Sequence, residues 1–113
     1  MQIIKTPVLL RQLWEESESG FTELIKIVVD IDQEIIAADA EMHADLEELL
    51  LENGSKQEFL WGANIYPTRP ANELIEYTAF INIRPAMDNR SMEIVNEEVR
   101  VKIDQIINKL IVI

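Results

Sequence analysis

Apolar and polar side chains alternate with a period of two over residues 75 to 84. Ile75, Tyr77, Ala79, Ile81 and Ile83 share one parity, Glu76, Thr78, Asn82 and Arg84 the other, and Phe80 alone interrupts the pattern. That period predicts a half-buried strand, and its apolar side predicts a central place in a sheet. Residues 24 to 32 are rich in β-branched side chains, with Ile25, Ile27, Val29 and Ile31 on one face and Leu24, Lys26, Val28, Asp30 and Asp32 on the other. This predicts a strand with one well-buried side, joined as a hairpin to a second strand over residues 34 to 38. Trp61, Ala63 and Ile65 alternate with Gly62, Asn64 and Tyr66, and Pro67 ends that strand. Antiparallel pairing with the next strand would place Asn64 and Tyr66 on the same face as Glu76, Thr78 and Asn82.

The period becomes helical elsewhere. Thr6-Pro7 offers an N-cap and a first-turn proline for a helix running to about Ser17, with Leu10, Leu13 and Trp14 inward and Gly20 ending the segment. Met42, Leu46, Leu49 and Leu50 recur at helical spacing, Asp45 and Glu48 fit a capping box, and Asn53-Gly54 supplies a left-handed stop. A single further turn is expected at residues 55 to 58. The clearest helix follows Asn96, which serves as its N-cap, with Val99, Ile103, Ile106, Ile107 and Leu110 as one stripe. With residues 2 to 5 as a short edge strand, the chain reads as one α+β domain over residues 1–113, in the order α-β-β-α-β-β-α. Its sheet is mainly antiparallel, of four or five strands, with helices packed on it.

Charge narrows the function. Twenty-one acids against ten bases give a formal charge of −11, which repels a phosphate backbone, so no nucleic-acid partner is expected. No apolar run approaches the roughly 18 residues of a membrane span, and no secretory signal opens the chain, so a cytoplasmic protein without a membrane partner is expected. With no cysteine, thiol chemistry and thiolate metal sites are excluded; three glycines are too few for a phosphate-cradling loop. Between Lys26 and Lys56 there is no lysine or arginine, while Asp30, Asp32, Glu34, Asp39, Glu41, Asp45, Glu47, Glu48 and Glu52 all fall there. Such a block is either a solvated face or a docking surface for a basic protein partner. The closing Ile111-Val112-Ile113 has no polar cover, and either packs back on the domain or joins a second copy in a homo-oligomer.

The words HADLEELLLENGSKQE over residues 43–58, LWGANIYP over 60–67, NIRP over 82–85 and NRS over 89–91 resemble an uncharacterised family of small prokaryotic proteins about this long. The likeness runs from Val28-Val29-Asp30 to the last helix. It implies no activity, cofactor or site residue. Asp39-Ala40 departs from the family's pattern, which has small flexible residues there.

Arg84, Arg90, Asn82 and Asn89 are the densest group of recognition-capable side chains and could hold a carboxylate or phosphate through charged forks. The plainer reading pairs both arginines with surplus carboxylates such as Glu76 and Asp88 and lets the asparagines cap turns. Asp30, Asp32 and Glu34 project on one parity at the hairpin end; with His43 and Asp45 they could bind a divalent ion of the magnesium, calcium or manganese type, or simply be solvated. No other cofactor is indicated. His43, the one histidine, could act as a general base with Ser55 or Ser91 only if the fold brought them together. Two functions of different class follow. One is a small acidic noncatalytic interaction protein that self-associates; the other is an anion- or metal-dependent ligand-binding or enzyme domain using the Arg84/Arg90 loop and His43.

Overall fold

The computed structural model describes residues 1–18 and 20–113. It is an α+β fold: β1 (Gln2–Ile4), β2 (Val8–Leu9), α1 (Leu10–Glu15), β3 (Ile25–Asp30), β4 (Ile35–Ala38), α2 (His43–Glu52), β5 (Leu60–Ile65), β6 (Ile75–Glu76), α3 (Glu97–Leu110) and β7 (Ile111–Val112). Five strands form one antiparallel sheet in the order β1-β4-β3-β5-β6, and β2 pairs with β7 in a small parallel sheet. Among the described residues no helix is long and apolar enough to cross a membrane.

The middle of the sheet is β3, paired along its length to β4 and β5. Both of its faces are covered. On one, Ile25, Ile27 and Val29 meet Trp61, Ala63 and Ile65 of β5 and the apolar stripes of α1 (Leu10, Leu13) and α3 (Ile103, Ile106, Ile107, Leu110). On the other, Val28 packs with Ile35, Ala37 and Leu60 against Leu46 and Leu50, one turn apart on α2. The strand with one buried side is therefore a two-sided core strand, because α2 folds back over the face that carries Lys26, Val28 and Asp30. The hairpin between β3 and β4 turns on Asp30, whose carboxylate accepts the backbone N–H groups of Asp32 and Gln33, both at 2.9 Å.

Two expectations are corrected. The helix expected from Thr6-Pro7 starts only at Leu10, because Val8 and Leu9 are taken as a parallel partner by Ile111 and Val112. Of the apolar tail Ile111 is buried, while Val112 and Ile113 remain exposed. The α3 cap is as expected, with Asn96 Oδ1 accepting from the Val99 N–H at 3.1 Å.

The larger correction concerns residues 75 to 84. They do not form a central strand. Only Ile75 and Glu76 pair with β5, at the sheet's edge; the chain then bridges Thr78 to Glu93 and coils into 3-10 turns at Phe80–Asn82 and Pro85–Met87. The physical reason lies in Gly62. Beyond Asn64, the outer edge of β5 meets a side chain instead of a strand: Asn82 Oδ1 accepts the Gly62 N–H at 2.8 Å and Asn82 Nδ2 donates to the Gly62 carbonyl at 3.0 Å. The carboxamide imitates the peptide unit of a missing strand. The approach is so close that a Cβ on Gly62 would stand 2.5 Å from Ala79 Cβ and 3.2 Å from both His43 Cδ2 and Ile81 Cγ1.

Replacing Asn82 by Ala leaves the Gly62 N–H and carbonyl without these partners and is expected to cost at least about 2 kcal/mol in urea denaturation. Gly62→Ala is expected to cost about 1–3 kcal/mol by overpacking. An unchanged midpoint for Asn82→Ala would show that this edge closes some other way.

Candidate functional site

The four residues of the proposed anion site lie close together, but three of them face into the fold. Arg84 is held by Pro85 and by a bridge to Asn89 across the second 3-10 turn. Its Nε donates to the Ile81 carbonyl at 3.0 Å, Nη1 to that of Gln57 at 3.0 Å, and Nη2 to that of Leu60. Nη2 also lies 3.5 Å from Glu47 Oε2 of α2, both side chains being largely buried, and the guanidinium sits over the Trp61 ring at 4.9 Å. Burial pushes the Arg84 pKa below its ordinary value and Glu47 opposes that shift. The acid that meets Arg84 is thus Glu47, not Glu76 or Asp88. Asn82 is fully buried at Gly62 and also donates to the Met92 carbonyl at 3.0 Å. Asn89 Nδ2 donates to the carbonyls of Asn82, Ser91 and Glu93, at 2.7, 2.9 and 2.9 Å, and its Oδ1 accepts the Val95 N–H at 3.0 Å. Arg90 stays exposed.

The metal candidates separate. Among the described residues no three His, Asp or Glu side chains come together to hold an ion, so Asp30, Asp32, His43 and Asp45 do not form a set. Asp30 is buried and its second oxygen accepts from Ser55 Oγ at 2.7 Å and Gln33 Nε2 at 3.0 Å, which closes the hairpin end with hydrogen bonds instead of a cation. Ser55 is therefore paired with Asp30, and His43 has a different neighbour.

His43 opens α2 over β5. Its Nε2 lies 2.9 Å from the Ala63 carbonyl, which can only accept, so Nε2 carries a hydrogen and donates it there. Burial lowers its pKa, and the Ala63 carbonyl pulls the other way. Close by, Lys26, Asn64 and Glu76 form one row across β3, β5 and β6. Glu76 Oε1 accepts from Asn64 Nδ2 at 2.8 Å and Tyr66 Oη at 3.1 Å, so the expected shared face of Asn64, Tyr66 and Glu76 is present.

Beside His43 the surface changes character. Phe80, at the start of the 3-10 turn that Asn82 pins, is 76% exposed, and Met42, just before α2, is 59% exposed. Together with Lys26, His43, Ala44 and Ile81 they line a pocket of about 180 Å³. A second cleft of about 300 Å³ shares the Lys26 wall and is lined on its far side by Glu18, Asp39 and Glu41. Lys26 Nζ donates to the Glu41 carbonyl, and Asp39 accepts the Glu18 N–H on both oxygens at 3.1 Å. Asp39 takes φ +75°, in the left-handed region that favours glycine. The apolar pocket escaped the sequence reading, although one signal pointed to it: Phe80 was the residue that broke the alternation.

Two measurements check this geometry. The His43 imidazole, which no other histidine obscures, is expected to titrate in NMR below its ordinary value of about 6.5. A folded pKa below the unfolded one means that its contribution is complete above the unfolded value and declines as pH falls from there towards the folded value; His43→Gln should remove that slope. Titration at or above 6.5 would contradict the burial. Arg84→Lys keeps the charge but loses the fork, and is expected to cost about 1–3 kcal/mol in urea denaturation.

No curated protein and no solved structure matches the chain significantly. A family described as a protein of unknown function (DUF5674) matches residues 2–110. With nearly its whole length matched, and with the edge-closing Asn82, Arg84 and Asn89 inside the match, the chain belongs to that family of unknown function.

Proposed function

We propose that this protein works without catalysis, by binding another protein through the face on which Phe80 and Met42 stand. The observation that carries this reading is Phe80. A phenyl ring left three-quarters in water at the tip of a turn that is pinned by buried hydrogen bonds is held in place before any partner arrives. Covering such a ring contributes roughly 1.5–3 kcal/mol, and aromatic anchors beside a pocket are the usual centres of protein interfaces.

The competing anion reading loses support from Arg84, Asn82 and Asn89. Their donors are already matched to carbonyls and to Glu47, and an incoming carboxylate or phosphate would have to displace those bonds. Neither serine pairs with His43: Ser55 donates to Asp30, and Ser91 Oγ accepts the Glu93 N–H. The tail pairs with β2 through Ile111 and Val112 while the side chains of Val112 and Ile113 stay exposed, so self-association through that end would be separate from the Phe80 face.

The test is recovery of the tagged full chain and its Phe80→Ser variant from the same native extract. A stoichiometric protein is expected with the wild type and lost from the variant, whose stability should change by no more than about 0.5 kcal/mol. Capture of the same protein by both, or retention of a metabolite in place of a protein, would overturn the proposal.

A further inference from the structure

We propose that the pocket between Met42 and Phe80 receives one apolar side chain from a basic protein segment whose lysines or arginines lie along the neighbouring acidic cleft. The proposal rests on the interaction reading above and names the occupant of that face.

Size is the first argument. At about 180 Å³ the pocket falls below the roughly 300–1,000 Å³ of small-molecule sites and suits a single aliphatic or aromatic side chain. Its walls are the apolar side chains of Met42, Ala44, Phe80 and Ile81, with His43 Nε2 engaged by the Ala63 carbonyl and the Lys26 ammonium by the Glu41 carbonyl. An apolar group entering it meets no obligatory charge.

Charge is the second. Glu41 and Asp45 are exposed on either side of the residues that wall the pocket, and the adjoining cleft of about 300 Å³ is lined by Glu41, by Glu18, whose carboxylate meets the Met1 ammonium at 3.5 Å, and by Asp39, which accepts the Glu18 N–H. Lys26 is the common wall, so a chain leaving the pocket over Lys26 passes directly into the acidic cleft. Cations on that chain complement the cleft. A second copy of this protein would bring the same carboxylates to the contact, on a chain already at −11, and an anionic membrane surface would be repelled for the same reason.

The experiment uses the full chain and three short synthetic peptides: one with a central leucine flanked by lysines and arginines, one with serine in place of that leucine, and one with the leucine flanked by glutamates. Fluorescence anisotropy is expected to show binding of the first alone, weakening with added salt. Phe80→Ser should abolish it, and Glu41→Lys, which leaves the apolar pocket intact, should weaken it by about tenfold. Equal binding of the serine or glutamate peptide, or indifference to Phe80→Ser, would overturn the proposal. So would concentration-dependent dimers of the free protein that Phe80→Ser dissolves, which would make a second copy the occupant. Should the basic peptide fail to bind while Phe80→Ser still loses its captured partner, the basic occupant is rejected and the interaction reading stands; if neither responds to Phe80, both are rejected.

Discussion

The outer edge of β5 has backbone groups that must find partners, and the chain meets that demand in three different ways along one strand. Asn64 and Ile65 are paired by the main chain of β6, Gly62 by the carboxamide of Asn82, and the Leu60 carbonyl by the guanidinium of Arg84. A buried strand edge without partners would lose about 1–3 kcal/mol per group, so this closure is a condition for the fold. It also explains why a segment that starts as a strand stops being one. Once side chains complete the ladder, the backbone is free to coil, and the first 3-10 turn of that coil opens on the exposed Phe80.

The same closure links architecture to function. Asn89 ties residues 82, 91, 93 and 95 together and so anchors the far side of the loop, while Arg84 reaches through it to Gln57, Leu60 and Glu47. With both ends fixed, the turn bearing Phe80 has little freedom to lose when a partner covers it, and preorganisation of that kind lowers the cost of association. Gly62 contributes by absence: the missing Cβ lets His43, Ala79 and Ile81 converge on the strand, and two of these residues shape the pocket.

Much of the fold was legible because its signals are local. The stripe and the Asn96 cap of α3, the leucines and the Asn53-Gly54 stop of α2, and the alternation in β3 and β5 each lie within a few residues of one another, where periodicity speaks directly. Residues 75 to 84 misled for a physical reason. Alternation persists through Ala79, and the difference between a strand and a 3-10 turn is made by Gly62, twenty residues from Asn82. Val8 and Leu9 misled in the same way, since helix signals at Thr6-Pro7 are overridden by a partner at the other end of the chain. For the candidate site, residue type was legible and direction was not. Arg84, Asn82 and Asn89 stand out by residue type as candidates for an anion site, but the hydrogen-bond partners of Arg84 and Asn82 lie mostly beyond any local window. The pairing of Asp30 with Ser55 left no sequence signal at all.

The small parallel sheet of β2 and β7 has a consequence for how the molecule comes together. Val8 is matched to Ile111 and Leu9 to Val112, so α1, which begins at the very next residue, is fastened on its N-terminal side by residues that lie far along the chain from it. Contacts between such distant points in the chain form slowly, because the intervening loop must be ordered first. During synthesis the five-stranded sheet can assemble while residues 8 and 9 are still unmatched, and β2 is fixed only once β7 has been made.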